Sequence, residues 1–383
     1  MGHPDLAAAL PAAAHAAALV ALSLGALTGK RGAGQLPRVL AGLGCAAALY
    51  LAACAPAASG ALFSLDPTAR LWQALFALAG LVFIVARGPL SPRSASLLAG
   101  SLCGMSLLAS AQNLFALFLG LELMSLPVYL LLHGLRPDRR SLEGAIKYFF
   151  AGALAAGLFL FGAAAYYAGT GSFALGPAPE ASPAAALGVA LMAAAALFKL
   201  GAFPFMFWLP DAYESAEPEL AAFMATAVKA AGALLLMRVL SLGAGRVEAI
   251  AIPLLAVLTM TVGNLFALRQ RDLQRLLAWS SVAHAGYLVA AIWAWRRLGG
   301  TPSGAATIYL YLLLYLASSG GAFLALKAAG VRRRADLPGL GERAPLAAAL
   351  LVVLLLALGG VPPTGGFTAK FFVLWDLWRA GSP

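Results

Sequence analysis

The chain has 383 residues, of which 62% are hydrophobic and only 11% are charged. Its mean hydropathy of +0.87 excludes a soluble globular domain of this length and indicates a membrane protein with several spans. The formal net charge of +11 could indicate a nucleic-acid partner. The basic residues, however, form short clusters between apolar stretches rather than one face interleaved with aromatic residues. We therefore interpret them as determinants of membrane orientation.

The cysteines and the N-terminal sequence indicate which features this membrane protein is expected to lack. Cys45, Cys54 and Cys103 lie in apolar stretches, and no two of them have the CxxC spacing. We predict neither a disulfide framework nor an iron–sulfur site, and we interpret all three as small packing residues. No basic region precedes the first apolar stretch, and further apolar stretches follow it. This pattern predicts a first membrane span rather than a cleaved signal peptide.

Glycine, proline and charged clusters divide the chain into about twelve apolar segments, each long enough to cross a bilayer as a helix. The predicted fold class is all-α, with the topology of a polytopic membrane protein. Only Gln112 and Asn113 separate the fourth segment from the fifth, and we expect a tight turn there. The predicted segments are residues 5–28, 37–59, 68–86, 94–111, 112–133, 141–169, 183–209, 218–242, 247–268, 275–297, 304–328 and 344–379.

Basic residues between the segments predict the orientation. If the N-terminus lies outside, fifteen lysines and arginines fall in cytoplasmic loops and four in the opposite loops, as the positive-inside rule requires. The fifteen are Lys30, Arg31, Arg38, Arg87, Arg93, Arg136, Arg139, Arg140, Arg269, Arg271, Arg275, Arg332, Arg333, Arg334 and Arg343, and the four are Arg70, Arg246, Arg296 and Arg297. One cytoplasmic loop is acidic instead, and we expect it to be solvated or to face a partner. Its carboxylates are Asp211, Glu214, Glu217 and Glu219.

Three of the six lysines lie deep in apolar segments, namely Lys199, Lys229 and Lys370, and Glu122 lies in a fourth such segment. An ionisable side chain at the bilayer centre costs about 3 kcal/mol on insertion scales. A desolvated lysine can exchange its proton, whereas arginine keeps its own at any usable pH. The placement therefore predicts a proton path.

Each of these residues also has a structural interpretation. The lysines could snorkel to the membrane surface, which is our preferred account of Lys327 near the end of its segment. Glu122 could form a simple hydrogen bond between helices. His284 is a further candidate for the path, because histidine titrates near neutrality, although it often only bonds a neighbour.

Two segments contain breaks. Gly201 and Pro204 interrupt the seventh segment just after Lys199, and residues 359–366 place four glycines and two prolines just before Lys370. Such breaks at membrane depth are tolerated where the backbone lines a protein cavity, and in corresponding halves they are typical of inverted-repeat transporters. We predict three N-terminal helices over residues 1–93, a first half repeat over 94–242 and a second over 243–383.

The broken segments carry a resemblance to a known family. Residues 198–204 and 208–214 resemble the seventh-helix signature of the antiporter-like subunits of respiratory complex I. Residues 263–288 resemble the ninth and tenth helices of that family, and residues 359–373 resemble its broken twelfth helix. The resemblance covers about residues 112–375. Within the family, Tyr213 and Glu214 after Pro210 and Asp211, together with Lys370, resemble the N subunits.

The resemblance implies a role for each buried ionisable residue. Glu122 matches the fifth-helix glutamate that pairs with the lysine of the broken seventh helix, here Lys199. Lys229 matches a relay lysine of the eighth helix, and His284 a relay histidine of the tenth. Lys370 matches the exit-side lysine of the twelfth helix. The family has fourteen helices, so we expect the second half repeat to be incomplete at the C-terminus of this chain.

The resemblance further implies a proton-translocating membrane subunit of NADH:quinone oxidoreductase. Its partners would be the other membrane subunits, especially the neighbouring antiporter-like and small ones, in the inner membrane. NADH, FMN, iron–sulfur clusters and quinone would be bound by partner subunits, because this sequence has no GxGxxG after a strand and no cysteine cluster. We expect no cofactor and no metal in this chain. The alternatives are a subunit of an Mrp-type cation/proton antiporter or membrane-bound hydrogenase, and a membrane scaffold without transport.

We predict that the loops containing Arg139, Arg271 and Arg333 face the cytoplasm, because they carry most of the positive charge. A single cysteine replacing Arg333, in a chain without other cysteines, should react with an impermeant thiol reagent in inverted vesicles and not in intact cells. A cysteine replacing Arg297 should show the reverse pattern. Labelling of the Arg333 position from outside intact cells would contradict the orientation.

Overall fold

Helices make up almost all of the structure. The computed structural model of the chain describes residues 4–27, 34–176, 182–243 and 246–381. These ranges contain isolated bridges between loop residues and no β-strand, which confirms the all-α class. The helices are α1 (Pro4–Ala8), α2 (Leu10–Leu27), α3 (Gln35–Cys54), α4 (Pro67–Arg87), α5 (Pro92–Ser110), α6 (Leu114–Gly134), α7 (Arg139–Thr170), α8 (Pro183–Leu200), α9 (Trp208–Ser215), α10 (Pro218–Phe223), α11 (Lys229–Leu240), α12 (Arg246–Leu268), α13 (Leu273–Arg297), α14 (Pro302–Tyr315), α15 (Gly321–Ala329), α16 (Leu340–Arg343), α17 (Pro345–Gly359) and α18 (Gly365–Gly381).

Several of these helices join into longer rods. The π-helical segment Met224–Val228 connects α10 to α11, and a second one, Leu316–Gly320, connects α14 to α15. Within the described ranges, nine rods are long and apolar enough to cross a membrane, and Leu10–Ser23 and Pro345–Gly359 are shorter apolar helices. The chain is therefore a multi-pass membrane protein. Of the basic residues used above for orientation, Lys30 and Arg31 lie outside the described residues.

Side-chain caps decide where the helices begin. In α6, the Asn113 side chain accepts a hydrogen bond from the Ala116 backbone N at 2.7 Å. This cap starts α6 directly after α5 ends at Ser110, and it confirms the tight turn expected at Gln112 and Asn113. The same arrangement begins other helices at Asp66, Ser91, Asp138, Ser182, Asp272 and Thr301.

The helix α5 is rich in serine because it lies inside the bundle. Nearly all of its side chains are buried. The Ser96 hydroxyl donates to the Pro92 carbonyl at 2.8 Å, and the Ser101 hydroxyl donates to the Met124 carbonyl of α6 at 3.0 Å. These bonds satisfy polar groups that would be costly against lipid, and the second one ties α5 to α6.

Both predicted helix breaks are present. The helix α8 ends at Leu200, where Gly201 takes a φ of 66°, and α9 begins only at Trp208. The helix α17 ends at Gly359, where Gly360 takes a φ of 80°, and α18 begins at Gly365. Glycine adopts this left-handed conformation readily, and the result is a free helix end at membrane depth in both halves of the sequence.

The pair α5 and α6 crosses at two glycines. A Cβ on Gly104 would lie 2.2 Å from the Met124 backbone N, and a Cβ on Gly120 would lie 2.6 Å from the Leu108 backbone N. The pair α12 and α13 crosses in the same way at Gly263 and Gly286. The pair α7 and α8 also crosses closely, at Gly162 and Gly188, and the division of the chain into two halves stays a prediction. These close crossings are possible because glycine has only a hydrogen atom as its side chain.

We predict that Gly120→Leu destabilises the protein by about 1 to 3 kcal/mol or more, because the new side chain would push α5 away from α6. The matched control is Gly157→Leu in α7, where a Cβ meets no atom within 4 Å. The measurement is thermal unfolding of both variants in mild detergent within their native assembly. Equal melting temperatures would contradict the close packing of α5 on α6.

Candidate functional site

Lys199 ends in a pocket of hydroxyl groups. It lies in the last turn of α8 and is 2% exposed. Its Nζ donates to Ser125 Oγ at 2.8 Å and to Tyr129 Oη at 2.8 Å, both on α6. The ammonium also lies 5.4 Å from the centroid of the Tyr129 ring. Two hydroxyls and an aromatic face thus take the place of water around this buried amine.

Glu122 lies on the same face of α6 as the two hydroxyls, because Ser125 and Tyr129 follow it by three and seven residues. Within the described residues no ion pair joins Glu122 to Lys199, and Glu122 Oε1 is buried without a hydrogen-bond partner. Lys199 is bound instead by Ser125 and Tyr129 on the same face of α6. The direct contact between Glu122 and Lys199 that the resemblance implies is not present in the described residues.

Lys229 binds the free end of the broken helix α8. It is the first residue of α11, follows a π-helical segment and is 1% exposed. Its Nζ donates to the Leu200 carbonyl at 3.1 Å and to the Ser281 carbonyl of α13 at 2.7 Å. Leu200 is the last residue of α8, so its carbonyl lacks a partner within the helix and lies at the negative end of the helix dipole. The break thus supplies a ligand for a buried cation.

His284 lies one turn after Ser281 on α13 and is 6% exposed. Its Nδ1 is 2.5 Å from Tyr311 Oη, and its ring centroid is 4.8 Å from that of Tyr315. One acceptor of Lys229, the Ser281 carbonyl, lies one turn before the imidazole on α13, and Lys370 lies 5.0 Å from the ring of Tyr287, three residues after it.

Lys370 repeats the arrangement of Lys229 at the second break. Its Nζ donates to the Leu358 carbonyl at 2.7 Å and to the Gly359 carbonyl at 3.1 Å, at the end of α17. It also lies 5.0 Å from the centroid of the Tyr287 ring on α13. Both breaks thus present free carbonyls to a lysine ammonium, although Lys229 comes from the following helix and Lys370 from the second half of the broken helix itself.

Shared partners connect the candidate residues on α8, α11 and α13. Lys229 binds the Leu200 carbonyl, next to Lys199 in α8, and its second acceptor, the Ser281 carbonyl, lies one turn before His284 on α13. Lys370 binds the Leu358 carbonyl at the second break and lies over the ring of Tyr287, which follows His284 by three residues on α13. The sequence analysis missed the groups that solvate these residues. Ser125 and Tyr129 could have been found from their spacing to Glu122, whereas contacts between helices determine the roles of Ser281, Tyr287 and Tyr311.

Comparison with known proteins identifies the family. Residues 111–383 match the family described as "NADH:quinone oxidoreductase/Mrp antiporter, TM". The chain belongs to this family. It is 43% identical over 304 residues to "NADH-quinone oxidoreductase subunit N 1" of Sorangium cellulosum, a match that covers 73% of this chain and 59% of that protein. It is 41% identical over 281 residues to "NADH-quinone oxidoreductase subunit 14" of Thermus thermophilus, a match that covers 73% of this chain and 62% of that protein. The chain thus spans about three fifths of these relatives.

Solved structures agree with this assignment. The structure of respiratory complex I from Thermus thermophilus contains a chain that superimposes with a TM-score of 0.85 at 34% identity, covering 97% of this chain and 83% of that one. The Mrp complex from Dietzia superimposes with a TM-score of 0.84 at 22% identity, covering 97% of this chain and 75% of that one, and it shows the fold alone. The resemblance to the antiporter-like subunits, and within them to the N subunits, is confirmed.

The carboxylates of the acidic loop form ion pairs within the chain, while the side chains of Asp211 and Glu217 stay 31% and 25% exposed, and a solvated or partner-facing loop stays a prediction. Asp211 pairs with Lys147 at 2.9 Å and with Arg275 at 2.7 Å. Glu214 pairs with Arg140, and with Arg275 at 2.6 Å. Burial acts to raise the pKa of Asp211, but the hydrogen bonds from Lys147 and Arg275 outweigh it and lower that pKa overall. The loop is tied to α7 and α13 by internal ion pairs.

Glu219 belongs to a separate cluster. Its side chain is 0% exposed, and it pairs with Arg87 of α4 at 2.8 Å and with Lys327 of α15 at 3.1 Å. Lys327 is 36% exposed, as expected for a snorkelling lysine, but its Nζ also donates to the Ala86 carbonyl at 2.9 Å. The ammonium therefore links three helices as well as reaching the membrane edge.

We predict that Arg275→Gln destabilises the protein by about 1 to 2 kcal/mol, because Asp211 and Glu214 each lose a charged hydrogen-bond donor. The control is Arg271→Gln, an arginine four residues earlier, just before α13, whose side chain makes no ion pair in the described part of the chain. Thermal unfolding of the native assembly near neutral pH measures both variants. Because the pKa of Asp211 is lowered, the difference should persist above the ordinary carboxyl range and shrink as the pH falls through it. An Arg271→Gln variant as unstable as Arg275→Gln would contradict the assignment.

Proposed function

We propose that this chain is a proton-translocating membrane subunit of an NADH:quinone oxidoreductase, and that Glu122, Lys199, Lys229, His284 and Lys370 carry its proton path. One observation carries the proposal. Three lysines within apolar segments, two of them buried and Lys370 partly buried, are bound by protein hydroxyls and carbonyls, and the acceptors of Lys229 lie beside Lys199 on α8 and one turn from His284 on α13. The named relatives are subunits of the same kind of complex, which supports the proposal independently.

The chemistry begins at the pair Glu122 and Lys199. A negative Glu122 lowers the free energy of protonated Lys199, because the attraction between opposite charges is strong where water is excluded. When that attraction weakens, the ammonium becomes less favourable and its proton moves toward Lys229. The two groups therefore act as one electrostatic unit with two states, and the position of the carboxylate selects between them.

Lys229, His284 and Lys370, which follow Lys199 in the proposed path, have different roles. Carbonyl oxygens, such as those of Leu200 and Leu358, hold an ammonium in place but release no proton. His284 can accept a proton on one ring nitrogen and release one from the other, and its contact with Tyr311 Oη gives it a hydroxyl neighbour. His284 is thus the relay between Lys229 and Lys370, and Lys370 is the exit-side group.

The energy for this switch comes from partners. NADH, FMN, iron–sulfur clusters and quinone belong to other subunits, and this chain contributes no redox chemistry. Its neighbours are the other membrane subunits of the complex and the surrounding lipid, in the inner membrane with the N-terminus outside. In the described residues no group of three or more His, Cys, Asp or Glu side chains could hold a metal ion. A subunit of an Mrp-type antiporter remains the second candidate, favoured by the shared fold and by the family description, which names both kinds of protein.

We predict that Lys199→Ala and Lys199→Arg both lower proton translocation by about tenfold or more, since arginine keeps the charge but does not release its proton. Glu122→Gln should lower it strongly as well, and the double variant Glu122→Gln with Lys199→Ala should be little worse than the worse single one. Proton uptake by inverted vesicles containing the assembled complex, followed with a pH-sensitive dye at matched expression, is the measurement.

The matched control is Lys327→Arg at the membrane edge, where an arginine can keep the ion pair with Glu219. This variant should pump like the wild type. Wild-type pumping by Lys199→Arg would show that charge alone matters at this position and would remove Lys199 from the proton path. Full pumping by Lys199→Ala and Glu122→Gln together would instead support a scaffold without transport.

A further inference from the structure

A groove opens between α5, α6 and α7 on the outer side of the bundle. Its volume is about 850 Å³. Most of its walls are apolar side chains, among them Leu130, Ile146 and Phe150, and Leu130 and Phe150 are 61% and 67% exposed. The lining residues Leu142 to Phe150 of α7 extend the groove by about 12 Å along the helix axis, at 1.5 Å per residue. The groove therefore reaches well into the apolar layer of the membrane.

One end of the groove is positively charged. Arg93 in the first turn of α5 and His133 in the last turn of α6 both line it at the same membrane edge. Arg93 is exposed, and within the described ranges it makes no ion pair, whereas Arg87 and Arg140 nearby are both paired with carboxylates. The His133 Nδ1 lies 3.1 Å from Ser141 Oγ, so Nε2 is the ring nitrogen that is not bonded to Ser141. Arg93 therefore lies at one end of an apolar groove without an anionic partner in the described residues, and an anion could bind there.

We propose that this groove binds an anionic phospholipid, with the phosphate on Arg93 and His133 and an acyl chain along Leu130, Ile146 and Phe150. Arginine binds phosphate oxygens with paired N–H donors, and the apolar walls match an acyl chain. A free phosphate ion would leave the apolar part of the groove unused, and an apolar helix of a neighbouring subunit would leave the arginine without an anion. A phospholipid has both an anionic phosphate and an apolar acyl chain, so it fits both the charged end and the apolar walls of the groove.

The groove also touches the candidate proton path. Tyr129 lines its inner end, and the Tyr129 hydroxyl is the one that accepts from Lys199 Nζ at 2.8 Å. The ring of Tyr129 packs edge-on against Tyr148 at 4.5 Å and Phe149 at 6.0 Å between centroids. An acyl chain in the groove lies against this ring and keeps water from approaching Lys199 from the side. The binding site itself does not rest on the proposed proton path.

The test uses the assembled complex in phosphatidylcholine vesicles that contain a trace of phosphatidylglycerol with a photoreactive diazirine in its acyl chain. After illumination, mass spectrometry of peptides measures labelling of residues 142–150. A diazirine phosphatidylcholine probe provides the comparison. We expect the anionic probe to label this segment about fivefold more, which corresponds to about 1 kcal/mol for one arginine near the membrane surface.

Two variants test which residues cause the preference for the anionic probe and which form the walls of the groove. Arg93→Gln should reduce the ratio of the two probes to about one, and Ile146→Trp should lower labelling by both probes, because the larger side chain fills the groove. Arg139→Gln, an exposed arginine that does not line the groove, should leave the ratio unchanged. Equal labelling by both probes in the wild type would mean ordinary surrounding lipid and would overturn the proposal. Labelling by neither probe would mean that a protein segment occupies the groove, and would overturn it as well.

Discussion

A lysine ammonium inside a membrane must be surrounded by protein oxygen atoms, and this requirement shapes the middle of the structure. A continuous helix meets it with side-chain hydroxyls or with carbonyls that are already bonded to its own backbone, as Ser125 and Ser281 do for Lys199 and Lys229. The two breaks add free carbonyls at Leu200 and at Leu358 and Gly359, and these bind Lys229 and Lys370. The glycines and prolines that end α8 and α17 therefore provide additional acceptors for two of the three lysines.

Packing places the remaining ligands. Lys199 finds its hydroxyls on α6, so the position of α6 relative to α8 decides whether the ammonium is solvated. On its other side α6 packs closely against α5 at Gly104 and Gly120 and accepts a hydrogen bond from Ser101 at the Met124 carbonyl. The helix that carries the two hydroxyls is thus held by its backbone as well as by its side chains.

The ionisable residues of the candidate site and the two helix breaks could be predicted from the sequence. The cost of an ionisable group in an apolar segment singles out Glu122, Lys199, Lys229 and Lys370 without any knowledge of the fold, and glycine and proline mark the breaks. The partners could not be predicted, because they come from helices distant in sequence. Ser281 is 52 residues from Lys229, and Arg275 is 61 residues from Glu214. The ion pairs of the acidic loop could not be predicted for the same reason. Asp211 and Glu214 pair with residues of α7 and α13, and Glu219 pairs with residues of α4 and α15, which no local pattern connects to the loop.

The nature of the ligands separates two kinds of lysine in this chain. Lys147 and Lys327 are bound by carboxylates, at 2.7 Å from Glu143 and 3.1 Å from Glu219. Lys199, Lys229 and Lys370 are bound by hydroxyls and carbonyls, which are neutral, and no ion pair joins any of them to a carboxylate in the described residues. The same side chain thus pairs with carboxylates at the membrane edge and with neutral oxygen atoms within the apolar segments. This difference in ligands is what suits the second group to the proposed proton path, because loss of a proton there would leave no bound carboxylate without a counterion.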